Sequence, residues 1–161
     1  MNKNDVVYTP RHISKAIIEY YDPQGKYLDP CRGNGAFYDY VNCDKDYCEI
    51  HDGKDFFAYN SRVDWIISNP PFSIYDEFLK KSFEVADNVV YLIPLYKVFK
   101  SNRYFDMVNK YGGIREVLII GSGSVCNFNM GFLVGMCYYK RGYSGDCKIS
   151  NFAALKLRGE R

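Results

Sequence analysis

The stretch Val63-Asp64-Trp65-Ile66-Ile67-Ser68-Asn69-Pro70-Pro71-Phe72-Ser73 leaves the backbone little freedom. Its first six residues form a mostly apolar run of strand length. The two prolines end that run, because each fixes φ and removes an N–H, and neither a sheet ladder nor a helix interior accepts that. After Ser68 the chain therefore makes a stiff corner at the end of a buried strand, with carbonyls that are not committed to a ladder. Asn69 adds a side-chain carbonyl and Phe72 a flat apolar face. Two acceptors beside a ring suit a planar group that bears an NH2, such as an adenine edge. An ordinary strand-to-loop turn with a buried Phe has the same residues, and the stretch alone does not choose between the two.

A second strand end narrows the choice. Lys26-Tyr27-Leu28-Asp29 reads as a short strand that runs into Asp29-Pro30-Cys31-Arg32-Gly33-Asn34-Gly35-Ala36-Phe37. Gly33 and Gly35 allow a tight turn and let a ligand approach without a Cβ in the way. The spacing predicts a helix over 36–41, whose N-terminus would offer N–H groups to an anion. The third glycine of a dinucleotide fingerprint is missing, which argues against a pyrophosphate cradle. A carboxylate with an amine beside it fits better, with helix N–H groups for the carboxylate and Asp29 for the ammonium. That combination is an amino-acid end.

Asp46 to Ile50 reads as the next strand, with Glu49 near its carboxyl end, where an acid is placed to accept ribose hydroxyls in an open α/β sheet. No helix fits between Glu49 and Asp55, so one crossover is missing here. Asp55 suits an exocyclic amine and Phe56 the flank of a ring; a turn with core aromatics explains both equally well.

The remaining segments supply the frame. Thr9-Pro10 marks a helix start, with Thr9 as N-cap and Pro10 in the first turn. Ile13, Ala16, Ile17 and Tyr20 recur at helical spacing up to Tyr21. A second amphipathic helix is expected from about Tyr75 to Ala86, with Phe78, Leu79, Ser82, Phe83 and Ala86 inward. Val89 to Ile93 is a continuous apolar run of the kind buried on both faces of a parallel sheet. Leu95 to Lys110 reads as a helix or broken helix carrying Lys97, Lys100, Arg103 and Lys110 against Asp106, a basic concentration that is either a solvated face or a contact for anions. Gly112-Gly113 is expected to break the chain, and Gly121 to Ser124 to form a flexible turn. Arg115 to Ile120 and Phe132 to Tyr139 are expected as an antiparallel pair, Cys147 to Ser150 as a short last strand, and the tail with Lys148, Lys156, Arg158 and Arg161 is basic.

Composition sets the outer bounds. The 161 residues suit one domain, 1–161, with a full hydrophobic core. Lys+Arg 21 against Asp+Glu 19 is close to balance, so bulk charge does not force binding to nucleic acid. Sixteen Tyr and 11 Phe are unusually many; most must pack the core, and a surplus of amphipathic rings also suits stacking on bases. The six cysteines show no metal-ligand spacing, and five lie within or beside apolar runs, as reduced residues of an intracellular protein would. No apolar stretch has the length of a secretion signal or membrane span, so the expected location is the cytoplasm, without membrane. Strands alternating with helices, followed by a terminal strand pair, predict a mainly parallel α/β sheet whose carboxyl rim gathers Asp29, Glu49, Asp55 and Asn69.

Taken together, Thr9-Pro10, Asp29-Pro30-x-x-Gly33-x-Gly35-x-Phe37, Glu49, Asp55-Phe56 and Asn69-Pro70-Pro71-Phe72 resemble, in this order, the S-adenosylmethionine-dependent N6-adenine DNA methyltransferases whose cofactor motifs precede the catalytic one. The resemblance covers about Tyr8 to Leu95. It implies a Rossmann-like methyltransferase fold: a mainly parallel sheet, helices on both faces and a C-terminal antiparallel strand. It implies S-adenosyl-L-methionine held by Thr9, Pro10, Asp29, Pro30, Gly33, Gly35, Glu49, Asp55 and Phe56. It also implies a catalytic corner of Asn69, Pro70, Pro71 and Phe72, in which Asn69 and the Pro70 carbonyl accept the target amine's hydrogens and Phe72 stacks on a flipped base. Phe128 resembles a second aromatic against that base, and Lys97, Lys100 and Arg103 are candidates for DNA contact. No metal is implied. Similar corners occur in methyltransferases acting on RNA adenine, RNA guanine and a protein glutamine, so these targets stay open. Two departures stand out: the crossover helix missing before Asp55 and the lack of a target-recognition domain. They leave room for a non-catalytic module, a homodimer or a separate specificity subunit.

Overall fold

The computed structural model of the chain describes residues 7–129 and 131–153. The expectations at Lys156, Arg158 and Arg161 lie outside them.

The first apolar helix, α1 (Arg11–Tyr21), stops at Asp22, which takes a left-handed conformation ahead of Pro23. Its N-cap is Pro10 without a side-chain cap bond, so the expectation for Thr9 is off by one residue. The Thr9 hydroxyl is turned instead toward Asn69. Strand β1 (Lys26–Asp29) comes next, then β2 (Asp44–Tyr47), which starts and ends earlier than the pattern around Cys48 suggested. The helix expected over 36–41 does not form: a single 3-10 turn, Tyr38–Tyr40, takes its place. With three aromatics in the segment and Arg11 pulling on Asp39 and the Asn34 carbonyl, tertiary contacts hold it as a compact loop. The helix N-terminus invoked for a carboxylate is therefore absent from this place.

Between β2 and β3 (Val63–Ser68) lie only the 3-10 turns Ile50–Asp52 and Phe56–Ala58, as the missing crossover implied. Helix α2 (Tyr75–Val85) then leads to β4 (Ala86–Pro94). The 95–110 segment is broken, as a 3-10 turn Leu95–Lys97 and helix α3 (Asn102–Tyr111), capped by the Ser101 hydroxyl. Strand β5 (Gly112–Ser122) begins on the two glycines that were expected to break the chain. There the backbone runs so close to β6 (Leu133–Arg141) that a Cβ on Gly112 would collide with the Lys140 carbonyl, and glycine extends the strand instead of ending it. The expected flexible turn is likewise ordered: Gly121 and Ser122 finish β5, and Gly123–Cys126 is a 3-10 turn. Strand β7 (Lys148–Asn151) completes the sheet.

The seven strands form one sheet in the order β2-β1-β3-β4-β6-β5-β7. Strands β2, β1, β3 and β4 are mutually parallel, β6 is antiparallel to both β4 and β5, and β7 is parallel to β5. Alternate residues of each strand face opposite layers. Tyr27, Ile67, Val90 and Leu92 pack with Ile13, Ile17 and Ile18 of α1, whereas Leu28, Ile66, Val89, Tyr91 and Ile93 pack with α2 and α3 through Phe78, Leu79, Phe83, Tyr104 and Val108. Helices on both faces force every parallel strand to end on the same rim, where loops meet. All six cysteines are free: Cys48, Cys126 and Cys137 are buried, Cys31 and Cys43 half-buried and Cys147 exposed. No group of metal ligands occurs among the described residues, and no helix among them is long and apolar enough to cross a membrane.

Candidate active site

The carboxyl ends of β1, β2 and β3 open into a cavity of about 470 Å³. This is within the usual range for a site that encloses a small organic ligand. Its walls include Thr9, Pro30, Gly33, Glu49, Asp55, Phe56, Asn69 and Pro71 of the predicted set. The lining is graded: Phe56, Phe57, Ile74 and Phe78 form an apolar end, while Thr9, Gly33, Glu49, Ser68 and Asn69 bring polar groups.

At the proline corner Asn69 donates from Nδ2 to the Val7 carbonyl (3.0 Å) and to the Thr9 hydroxyl (3.4 Å). The segment before α1 is thereby fastened over the end of β3, and the Asn69 amide is held with its oxygen as the remaining acceptor. Neither that oxygen nor the Pro70 carbonyl accepts a hydrogen bond among the described residues, whereas the Pro71 carbonyl starts the next turn by accepting from Ile74 (3.4 Å). Phe72, half-buried, meets the buried Phe128 ring at a centroid distance of 5.0 Å. The two predicted aromatics are together but touching, so a base between them requires the rings to part.

Asp29 does not line the cavity. It is 1% exposed, with Oδ1 accepting from the Ser68 hydroxyl (2.7 Å) and the Cys31 amide (3.3 Å). Burial pushes its carboxyl up to about 7, against the lowering effect of those two donors. The Cys31 thiol lies 3.3 Å from both the Ser68 hydroxyl and the Asn69 carbonyl, and burial together with nearby Asp29 pushes its pKa well up. A neutral thiol in that position is a hydrogen-bond donor and not a nucleophile.

Gly33 and Gly35 both have positive φ (52° and 79°), as the tight turn requires. A Cβ on Gly35 would lie 2.7 Å from Asp39, whose carboxylate binds Arg11, so this glycine serves packing behind the loop. Gly33 faces Tyr8 and donates its N–H to Glu49 (2.8 Å); Glu49 also accepts from His51 (3.2 Å). Asp55 accepts from the Phe57 N–H (2.9 Å), and Phe56 is buried against Phe78. Pro10 sits at the head of α1, outside the cavity wall.

The candidate DNA-contact residues divide. Lys97 donates to the Phe72 carbonyl (3.0 Å) and so belongs to the corner itself. Lys100 pairs with Asp76, and Arg103 is exposed on α3. Sequence reasoning overlooked Ser68 and Cys31, which join Asp29 to Asn69, and also Val7 and Tyr8, which cover the loop. Their only signal was position, one residue before Asn69 and two after Asp29 or just ahead of Thr9, since Ser, Cys, Val and Tyr are ordinary core and strand residues.

No protein-family model and no curated protein sequence matches the chain. Solved structures do. A protein from Listeria monocytogenes provisionally assigned as a class I S-adenosylmethionine-dependent methyltransferase superimposes with a TM-score of 0.74 at 11% identity, over 99% of this chain and 72% of that one. The methyltransferase subunit of a type I restriction-modification system from Streptococcus thermophilus gives 0.64 at 14% identity, over 99% of this chain and 53% of its own length. A provisionally assigned RNA methyltransferase from Pyrococcus horikoshii gives 0.63 at 17% identity, over 86% and 88% of the two chains. The chain thus spans about half of the restriction-system subunit. These likenesses define the fold as that of the class I, Rossmann-like methyltransferases.

Proposed function

We propose that this chain is an S-adenosyl-L-methionine-dependent methyltransferase that modifies the N6 amine of adenine in DNA. The observation that carries the proposal is a pair of acceptors, Asn69 Oδ1 and the Pro70 carbonyl, that take no hydrogen bond from any described residue and lie one residue apart on a rigid corner between a ligand-sized cavity and two aromatic rings. An adenine amine is a weak nucleophile because its lone pair is delocalised into the ring. Acceptors fixed on both N–H bonds favour a pyramidal nitrogen and raise its lone-pair density, so preorganisation takes the place of a strong base.

The cavity suits the cofactor in size and grading. Phe56 offers the face of a ring slot, Asp55 has its other carboxylate oxygen for an amine, Glu49 presents its carboxylate above the second strand, and Gly33 and Thr9 line the same cavity. When bound, the cofactor supplies an electrophilic methyl group on a sulfonium. The protein's own contribution is positional. Asp29 and Ser68 set the floor, the Cys31 thiol holds the Asn69 main chain, and Thr9 and Val7 hold the Asn69 side chain. Phe72 and Phe128 would part to take the base, which leaves its stack at a cost of a few kcal/mol in a duplex and less in a single strand.

The fold shared with type I restriction-modification subunits supports DNA as substrate and a separate specificity subunit or second copy as partner. The likeness to the Pyrococcus horikoshii protein provisionally assigned as an RNA methyltransferase, over most of that chain's length, favours RNA as the second reading. Radiolabelled cofactor incubated with DNA, RNA and protein fractions decides between them by where the label goes. Asn69→Ala should lower methyl transfer by about 10²–10³-fold, the loss expected for one preorganised polar contact to the reacting group, with cofactor affinity retained. Unchanged turnover in that variant would refute the mechanism.

A further inference from the structure

The rings at the catalytic corner continue outward. From Phe72 the series runs to Phe128 (5.0 Å between centroids), then Phe132 (6.2 Å), then Tyr96 (5.9 Å). It begins at the corner, among buried groups, and ends on the surface, where Tyr96 is 61% exposed. Phe99, 64% exposed, lies three residues further along the same segment. Tyr96 meets Phe132 at an interplanar angle of 75°, and the Lys97 ammonium lies over the Tyr96 ring, 6.0 Å from its centroid. The segment bearing it, 95–110, carries Lys97, Lys100, Arg103 and Lys110, of which Lys97 also holds the Phe72 carbonyl and Lys100 pairs with Asp76.

Packing does not account for this end of the series. A Tyr and a Phe more than half exposed on one short segment bury little apolar area, and exposed aromatics beside cations are what a single nucleic-acid strand uses: ring faces for bases and cations for the backbone. Such a strand can lay a base on an exposed ring only where that base is not already stacked on its neighbours. In a duplex those base faces are covered by their neighbours, and the outer rings would meet only backbone.

We infer that Tyr96 and Phe132 form a stacking platform for the nucleotides flanking the target, and that the preferred substrate is a single-stranded or locally unpaired nucleic acid. The inference rests on the proposed reading of the corner, but it concerns affinity and not methyl transfer, so the two fail separately. The probe is a fluorescein-labelled mixed-sequence oligonucleotide, alone or annealed to its complement, titrated with the full chain and read by anisotropy. The single strand should bind at least about tenfold more tightly than the duplex. Tyr96→Ala should weaken single-strand binding on the order of tenfold, as expected for one lost stacking contact. Tyr96→Trp should restore it, and cofactor affinity and thermal midpoint should stay at wild-type values in both. Asn69→Ala should keep single-strand affinity while losing methyl transfer; a wild-type chain that binds the single strand without methylating it would overturn the catalytic reading and leave the platform standing. Equal or tighter duplex binding, no oligonucleotide binding, or an unchanged Tyr96→Ala affinity would overturn the platform. So would sedimentation showing self-association that Tyr96→Ala abolishes in a chain that binds no oligonucleotide, since the patch would then be a protein interface.

Discussion

Asp29 concentrates the link between site and stability in one residue. Its carboxyl is sealed under the loop, with the Ser68 hydroxyl and Cys31 amide as donors, and burial raises it from 3.8 to about 7. Between those values the folded chain keeps a proton that the unfolded chain has released. The stability associated with this group is therefore fully present below about pH 4 and is lost as pH rises through about 7. At about 1.4 kcal/mol per pH unit the effect is on the order of 4 kcal/mol. Asp29→Asn keeps an acceptor for Ser68 and stays neutral. Urea unfolding of this variant should show a higher midpoint than wild type near pH 8, a difference that shrinks toward about pH 5. Parallel pH profiles for the two proteins would show that Asp29 does not titrate in this range.

At the scale of elements, one shared hydroxyl joins β6 to both helices of its face. Tyr139, fully buried on β6, meets the Tyr75 hydroxyl of α2 (2.7 Å) and the Tyr104 hydroxyl of α3. Tyr139→Phe keeps the ring but takes away the central partner of two buried hydroxyls. The expected cost is about 1–3 kcal/mol, seen as a lower urea midpoint at an unchanged slope; an unchanged midpoint would mean that Tyr75 and Tyr104 re-pair without loss. This network was not legible in the sequence, because sixteen tyrosines offer no sign of which hydroxyls meet across 64 and 35 residues. What was legible had local causes. The Val63–Ser68 strand, the proline corner, the two amphipathic helices and the antiparallel end pair follow from periodicity and from proline. The rim gathering Glu49, Asp55 and Asn69 followed from topology alone. The errors came where tertiary contacts outweigh local preference: the 36–41 segment, held by Arg11 as a loop, and Gly112-Gly113, kept in a strand by the close approach of β6.

Across the whole molecule, the cavity is assembled from segments that are far apart in sequence: Val7–Thr9 ahead of α1, the loop after β1, the turns after β2 and the corner after β3. A ligand that touches all four stabilises the folded chain by mass action, about 2.7 kcal/mol at 100 times its dissociation constant. For a chain of this size that corresponds to a rise in thermal midpoint of roughly 5–10 °C. S-adenosylmethionine and its demethylated product should both produce it, since the proposed contacts are to the groups they share. Glu49→Ala should reduce the rise by removing the carboxylate that now ties the Gly33 amide into the wall. Asn69→Ala should behave differently: it frees Val7 and Thr9, so the midpoint without ligand falls, yet the increment on adding cofactor persists. Scanning fluorimetry of the three proteins with and without cofactor separates these outcomes. An increment lost in Asn69→Ala but kept in Glu49→Ala would place the cofactor at the corner and not along the wall, and the division of the rim into a cofactor end and a target end would have to be reversed.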